Sequence, residues 1–277
     1  MRFYEKLCDE LMDKIPEKKL AELPRGYLAL GDIMIIHLER SLYKYKTEIG
    51  NACLKLLPYM RTVLLEKRIR GRMRRPEIEV IAGEKRTKTI FREHGCEFLI
   101  DFSKVMWSGG NKAERQRLVS IAKRGEVIVD MFAGIGYWSI FLAKYCEPKI
   151  IYAIDINKDA IELLKTNAQL NNVSDKFEIL EGDCRKIVPK MRIKADRIIM
   201  GYLDRTERFL KYIKSIVKPG TIIHLHRNVF ERESIEERIL KVLARNGIEA
   251  EIMDARVVKS VAPRVYHKVF DIKVKKC

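Results

Sequence analysis

A chain of 277 residues with 47% hydrophobic content, 34% charged content and a formal charge of +17 can hold one large domain or two modest ones, and is too apolar to be disordered. Charges interrupt every apolar run, and the N-terminal MRFYEKLCDELMDKI lacks an apolar core, which excludes a membrane span and a signal peptide. The six cysteines (Cys8, Cys53, Cys96, Cys146, Cys184 and Cys277) are scattered with no C-x-x-C pair, which argues against a zinc ribbon and fits a reducing, cytoplasmic setting. A compact chain with this positive excess repels itself, so a polyanion is the expected partner, nucleic acid ahead of an anionic membrane surface.

In chain order, residues 2–15 space Phe3, Leu7, Leu11, Met12 and Ile15 as a helix does, and Pro16 and Pro24 end that region. A short strand is expected over Asp32–His37, a helix over Lys46–Met60 and a strand at Val63-Leu-Leu. The run Lys67-Arg-Ile-Arg-Gly-Arg-Met-Arg-Arg75 follows, closed by Pro76. Residues 77–82 and 87–93 alternate like strands of one small sheet, with Gly71 and Gly83 marking turns.

From about residue 126 strand-like and helix-like runs alternate. Strands are expected at 127–132, 150–155, 177–181, 196–200 and 221–226, and helices at 138–146, 157–171, 205–217 and 231–246. Two last strands, near 248–257 and 267–275, can form a hairpin that leaves one strand antiparallel. Such alternation predicts a mostly parallel α/β sheet covered on both faces, preceded by a smaller α+β domain. The expected division is 1–100 and 101–277, with no flexible linker between.

Ligands of an open parallel sheet sit beyond the carboxyl ends of its strands. VIVDMFAGIGYWSI, residues 127–140, reads as a strand over 127–132, carrying Asp130 and ending at Phe132, that opens through Gly134 and Gly136 into a turn where backbone can approach a ligand. Tyr137-Trp-Ser follows where a dinucleotide fingerprint would have a third glycine, so no pyrophosphate is expected. The next strand ends in Asp155-Ile156, with the acid about twenty residues on, where a carboxylate can hold two ribose hydroxyls. The third ends in Glu181-Gly-Asp183-Cys184, an acid placed to meet an adenine amino group. The constellation predicts a nucleoside-bearing ligand without pyrophosphate.

These residues resemble the S-adenosylmethionine-binding half of class I methyltransferases, a Rossmann-like sheet. The preceding Phe98-Leu-Ile-Asp-Phe-Ser-Lys-Val-Met-Trp-Ser-Gly-Gly-Asn-Lys-Ala-Glu-Arg-Gln-Arg117 is similar to the lead-in of two related groups of tRNA enzymes. One comprises the tRNA guanine-37 N1-methyltransferases. The other comprises the wybutosine-pathway enzymes that move an aminocarboxypropyl group from S-adenosylmethionine to a tricyclic base at the same position of tRNA. The likeness is densest over residues 96–200, and the chain is expected to be too short for the extra N-terminal domain of many of those methyltransferases.

The resemblance implies that Ser108, Arg115, Asp130, Phe132, Gly134, Gly136, Asp155, Ile156, Asp183 and Cys184 bind S-adenosylmethionine. Attack at the methionine γ-carbon rather than the methyl requires the methionine tail to be gripped so that the γ-carbon lies in line. Arg115 suits its carboxylate, because a guanidinium fork matches a carboxylate, and Ser108 can add a hydrogen bond. Read without the family, Arg115 is equally a helix-surface arginine. The methyltransferases also carry an Asn-Pro-Pro or Asn-Leu-Pro motif after the fourth strand. Here Gly201-Tyr-Leu-Asp204 stands there, which favours the aminocarboxypropyl reading over guanine N1 methylation. Tyr202 and Trp138 are each available to stack on a base or to fill the core. No general base is identified. His224 and His226 share a face of one strand without an acid or cysteine cluster, so core or rim histidines are expected rather than a metal site.

For the RNA, Arg68, Arg70, Arg72, Arg74 and Arg75 are the candidate phosphate contacts, with Lys85, Arg86 and Lys88 nearby. The expected partner is the anticodon stem-loop region of tRNA, read through an unstacked loop base, by a monomer without metal.

Overall fold

The computed structural model describes residues 2–71, 75–107 and 109–277. The chain forms two compact units, Met1–Trp107 and Ser108–Cys277.

The first unit contains α1 (Phe3–Leu11), α2 (Glu17–Leu20), β1 (Leu28–Leu30), β2 (Ile33–Ile36), α3 (Lys46–Leu56), β3 (Thr62–Arg70), β4 (Arg75–Gly83), β5 (Lys88–Glu93) and β6 (Cys96–Asp101). Leu7 and Leu11, four apart on α1, point inward and meet Ile49 and Cys53 of α3, all fully buried. Each such aliphatic side chain stabilises the unit by roughly 1.5–3 kcal/mol. β2 and β3 are parallel and joined through α3, and β1 and β4 pair antiparallel on either side, giving the order β1-β2-β3-β4. β5 does not extend that sheet. It pairs with β6 alone, through a two-residue turn in which His94 (φ 45°) and Gly95 (φ 72°) are both left-handed. The expectation of one small sheet over 77–93 therefore fails. His-Gly lacks the Asn-Gly or Asp-Gly signature that would have announced the hairpin.

The second unit contains α4 (Lys112–Ile121), β7 (Val127–Asp130), α5 (Ser139–Tyr145), β8 (Ile150–Asp155), α6 (Lys158–Leu170), β9 (Phe177–Glu181), α7 (Cys184–Ile187), β10 (Arg197–Leu203), β11 (Ile222–Phe230), α8 (Glu236–Arg245), β12 (Glu249–Ala262) and β13 (Val265–Lys276). Its sheet runs β12-β13-β11-β10-β7-β8-β9. The β9-β8-β7-β10-β11 pairings are parallel, and β13 lies antiparallel between β11 and β12. Strand order reverses between β7 and β10, and a ligand crevice opens at such a switch. The helix expected over 205–217 is instead a 3-10 stretch, Thr206–Tyr212, entered from left-handed Arg205 (φ 46°) with no side-chain cap. Among the described residues no helix is long and apolar enough to cross a membrane.

Candidate active site

The rim is built by strand ends tied to one another. Beyond β7, Met131 N donates to Ile199 O of β10 (3.0 Å) and Ala133 N to Ile154 O of β8 (2.9 Å), while Gly182 N beyond β9 donates to Asp155 O (2.8 Å). The loop between these anchors turns through Gly134 (φ 55°) and Gly136 (φ 95°). A Cβ on Gly136 would stand 2.3 Å from Ile140 Cγ1 and 2.9 Å from Leu164 Cδ1, so this glycine lets the loop lie against α5 and α6. Asn167, fully buried on α6, donates from Nδ2 to Ile135 O at 3.0 Å and fixes the loop from behind. Sequence reasoning missed Asn167; an amide on an apolar helical face was its only signal.

Asp155 occupies the end of β8, half-buried. Its Oδ2 accepts from Gly134 N (2.7 Å) and its Oδ1 from Asn157 N (2.8 Å). Burial pushes its carboxyl above the ordinary carboxylate range, against the pull of these backbone donors. A carboxylate has about four acceptor positions, so the two N–H groups leave capacity for a pair of hydroxyls. Ile156 beside it is exposed, an apolar surface at the same rim. Asp130, at the end of β7, is fully buried. Phe132 N donates to its Oδ1 at 3.3 Å, Oδ2 has no hydrogen-bond partner, and burial, helped by the charge of Asp155, pushes it up to about 7. The tight glycine turn, the spare acceptors of Asp155 and the orphaned Asp130 oxygen fit a nucleoside-bearing ligand at this rim.

Asp183 caps α7 by accepting from Arg185 N at 3.0 Å, and its carboxylate is also clamped by the Arg185 guanidinium, Nε to Oδ1 at 3.0 Å. An adenine amino group would therefore share Asp183 with Arg185. Cys184 is buried against Ile154 and Val188 in the core. Ser108 lies outside the described residues. Arg115 is 1% exposed, with its guanidinium 6.0 Å over the Trp138 ring and 5.8 Å over that of Phe141. It is not a helix-surface arginine.

Trp138 in turn stacks on His226, centroids 4.7 Å apart at 28°. His226 Nδ1 meets His267 Nε2 at 2.9 Å, and both rings are fully buried. Burial and the neighbouring His267 hold His226 well below the usual histidine range, and burial with the Lys259 charge pushes His267 down to about 4, so both are neutral at physiological pH. His224 is buried too, bonded through Nδ1 to Asp271 Oδ1 at 2.6 Å. These histidines are core groups, and His267, supplied from β13, was missed.

Across the crevice β10 bulges: Met200 pairs with Leu225 but Leu203 with Arg227, and Leu203 (φ 75°) is left-handed. The bulge re-aims Tyr202, which stacks on Phe132 (5.2 Å, 25°) and meets Phe209 edge-on (5.7 Å, 64°). The three rings form a half-buried aromatic wall at the switch point. Behind it Glu207, fully buried, lies 3.2 Å from Arg227 Nε and 3.3 Å from Arg238 Nη2. Phe209 and Glu207 sit in a segment whose charges read as surface, so neither was foreseen.

In the first unit, the basic run lies on the β3–β4 hairpin. Arg70 pairs in register with Arg75 at its end, Arg68 Nε bonds Glu77 Oε2 (2.9 Å) and Lys67 pairs with Glu79 (2.8 Å). Arg72 and Arg74 lie outside the described residues.

The comparisons with known proteins agree with this geometry. The family described as TRM5/TYW2 methyltransferase domain matches residues 89–254, and the one described as TYW2 N-terminal domain matches residues 7–87. The tRNA(Phe) (4-demethylwyosine(37)-C(7)) aminocarboxypropyltransferase of Methanocaldococcus jannaschii is 37% identical over 89% of this chain and 97% of its own length. The tRNA (guanine(37)-N(1))-methyltransferase Trm5b of Pyrococcus abyssi is 36% identical over 94% of this chain and 78% of its own. A crystal structure of Pyrococcus horikoshii TYW2 in complex with MeSAdo superposes with a TM-score of 0.83 at 31% identity, covering 99% of this chain and all of that one. By fold, by site and by sequence, this chain belongs to the TRM5/TYW2 methyltransferase family.

Proposed function

We propose that this chain is a tRNA aminocarboxypropyltransferase of wybutosine formation, which moves the 3-amino-3-carboxypropyl group of S-adenosylmethionine onto a 4-demethylwyosine-type tricycle at position 37 of tRNA(Phe). The observation that carries the reading is the end of β10. Gly201-Tyr202-Leu203 replaces the Asn-Pro motif of the guanine N1-methyltransferases, and a Cβ on Gly201 would already stand 2.7 Å from Trp138 Nε1. An asparagine cannot read a guanine edge from that position while Trp138 keeps its place. The 37% identity to an aminocarboxypropyltransferase over nearly its whole length supports the same choice.

The donor supplies an activated carbon on its sulfonium; the chain decides which carbon is presented. Asp155 holds the ribose hydroxyls with its free acceptor positions. Ile156 and the backbone at Asp183–Cys184 form the adenine wall, and the Gly134–Gly136 turn, with Asp130 beneath it, lets the nucleoside lie close to the main chain. Arg115 is the cation for the methionine carboxylate, assisted by Ser108. Its packing behind Trp138 and Phe141 means that the carboxylate reaches it only with a rearrangement of those rings. Phe132 and Tyr202 face the tricycle, whose extended π-surface suits an aromatic wall better than a single purine does. The anticodon stem-loop region is held through phosphates by the β3–β4 hairpin of the N-terminal unit. The chain is read as a monomer, working in the cytoplasm where its tRNA is found.

The test is mass analysis of tRNA carrying the tricycle after incubation with donor labelled either in the methyl group or in the methionine chain. The aminocarboxypropyl mass and the chain label should enter the RNA together. Methyl label in the product would overturn the proposal in favour of a methyltransferase.

A further inference from the structure

At the amino edge of the seven-stranded sheet, opposite the glycine rim, the starts of β7, β10 and β11 and the adjoining parts of β12 and β13 enclose an open cavity of about 730 Å³. Its floor is charged. Asp271 accepts from His224 Nδ1 (2.6 Å), Arg117 Nη1 (2.9 Å) and Arg256 Nη2 (3.0 Å), and Arg197 Nε donates to Glu126 at 2.7 Å. Burial alone would raise the Asp271 carboxyl, but the hydrogen bond and charge of His224 and the charge of Arg117 hold it well below the carboxylate range.

The acids of this cavity are already spent. Glu126 serves Arg197, Asp196 serves Lys218, Asp254 serves Arg256, and Asp271 is shared as above. Positive capacity is left over. Arg256 Nη1 is buried with no acceptor. Lys123 and Lys273 line the same space and, among the described residues, make no ion pair. Arg124 stands at the mouth, 85% exposed and paired at 2.9 Å with Glu147, so the spare capacity lies with Arg256 and the two lysines. A buried guanidinium N–H without an acceptor costs stability unless an anion or water meets it. Two ammonium groups beside it favour a tetrahedral oxyanion, which can accept from several directions at once.

We infer that this cavity is a second anion site, distinct from the donor rim, that takes a phosphate group, and that its ligand is a phosphodiester of the RNA substrate. The open mouth suits a backbone phosphate of a polymer, and a net charge of +17 favours a polyanion. The RNA assignment rests on the tRNA reading above; the chemistry of the site does not.

The test uses the full chain, as wild type, as the Lys123→Ala/Lys273→Ala double variant and as Arg256→Gln. The lysine pair keeps the folded network intact should Arg256→Gln loosen it. The expected result is a severalfold loss of tRNA affinity in both variants, a salt slope shallower by about one to two, and unchanged S-adenosylmethionine affinity. A parallel thermal scan with inorganic phosphate at constant ionic strength separates the sources. If phosphate stabilises the wild type but not the variants while tRNA binding is equal, the site stands with free phosphate as its ligand. Equal tRNA binding together with equal phosphate response in all three proteins overturns it. Should the wild type itself fail to bind tRNA, the functional reading fails, and the phosphate arm alone decides the site.

Discussion

Gly201 of β10 and Trp138 at the head of α5 share one space: a Cβ built on the glycine would stand 2.7 Å from the indole Nε1 and 3.5 Å from Cδ1. Trp138 is held on its other face by His226, 4.7 Å away, so it has little freedom to retreat. Gly201→Ala is expected to cost about 1–3 kcal/mol of stability by overpacking and to lower group transfer at least tenfold. Combining it with Trp138→Leu, which removes the indole, should cost less than the sum of the two single changes. A double-mutant cycle of unfolding free energies checks this; simple additivity would show that the two residues do not compete for the same space.

The ribose role of Asp155 yields a second expectation. Asp155→Asn keeps an acceptor for one backbone N–H and loses the charge that strengthens hydrogen bonds to hydroxyls, worth about 1.5–3 kcal/mol for charged partners. S-adenosylmethionine affinity should fall at least tenfold, with tRNA affinity unchanged, in isothermal titrations of each ligand. An unaltered donor affinity would place the ribose elsewhere.

The strand ends that form the candidate rim were legible because buried parallel strands read as apolar runs, and the residues that end them are glycines and acids whose chemistry is local. β8 and β9 appear at the residues expected, Ile150–Asp155 and Phe177–Glu181. Arg115 shows where that reasoning stops. Its neighbours Glu114, Gln116 and Arg117 make it look solvated, yet it is 1% exposed, because the rings that cover it come from α5. Glu207 is hidden for the same reason: its arginines come from β11 and α8. Charge pairs between distant elements leave no periodic trace. Nor does a bulge such as that at Gly201–Leu203, which decides where Tyr202 points.

Asp130 predicts a pH dependence of stability. Burial raises its carboxyl from 3.8 to about 7, so between those values the native state keeps a proton that the unfolded chain has lost. Its contribution is therefore most favourable at acid pH, falls as pH rises from about 4 to about 7, and is level above that. A shift of this size corresponds to about 4 kcal/mol as an order of magnitude. Asp130→Asn stays neutral and can still accept the Phe132 N–H. Its melting temperature, close to that of the wild type near pH 4, should pull ahead as pH rises to 8. A gap that does not widen would mean that Asp130 ionises without penalty.

The β3–β4 hairpin carries part of the basic run. Arg68, in the stem, is already matched by Glu77, and Lys67 by Glu79, so these charges are partly spent within the fold. Arg72, Arg74 and Arg75 follow in the same basic run of the sequence, with Arg72 and Arg74 outside the described residues. Each cation that meets a phosphate releases about 0.7–0.9 of a counterion. Replacing Arg72, Arg74 and Arg75 together by glutamine should make the plot of log affinity for tRNA against log salt shallower by about two. Donor affinity should not change. Arg68→Gln alone should alter the slope by less than one, because a guanidinium already held by Glu77 displaces fewer counterions from phosphate. Filter binding across a salt series measures both, and a triple variant with the wild-type slope would remove the hairpin from the RNA interface.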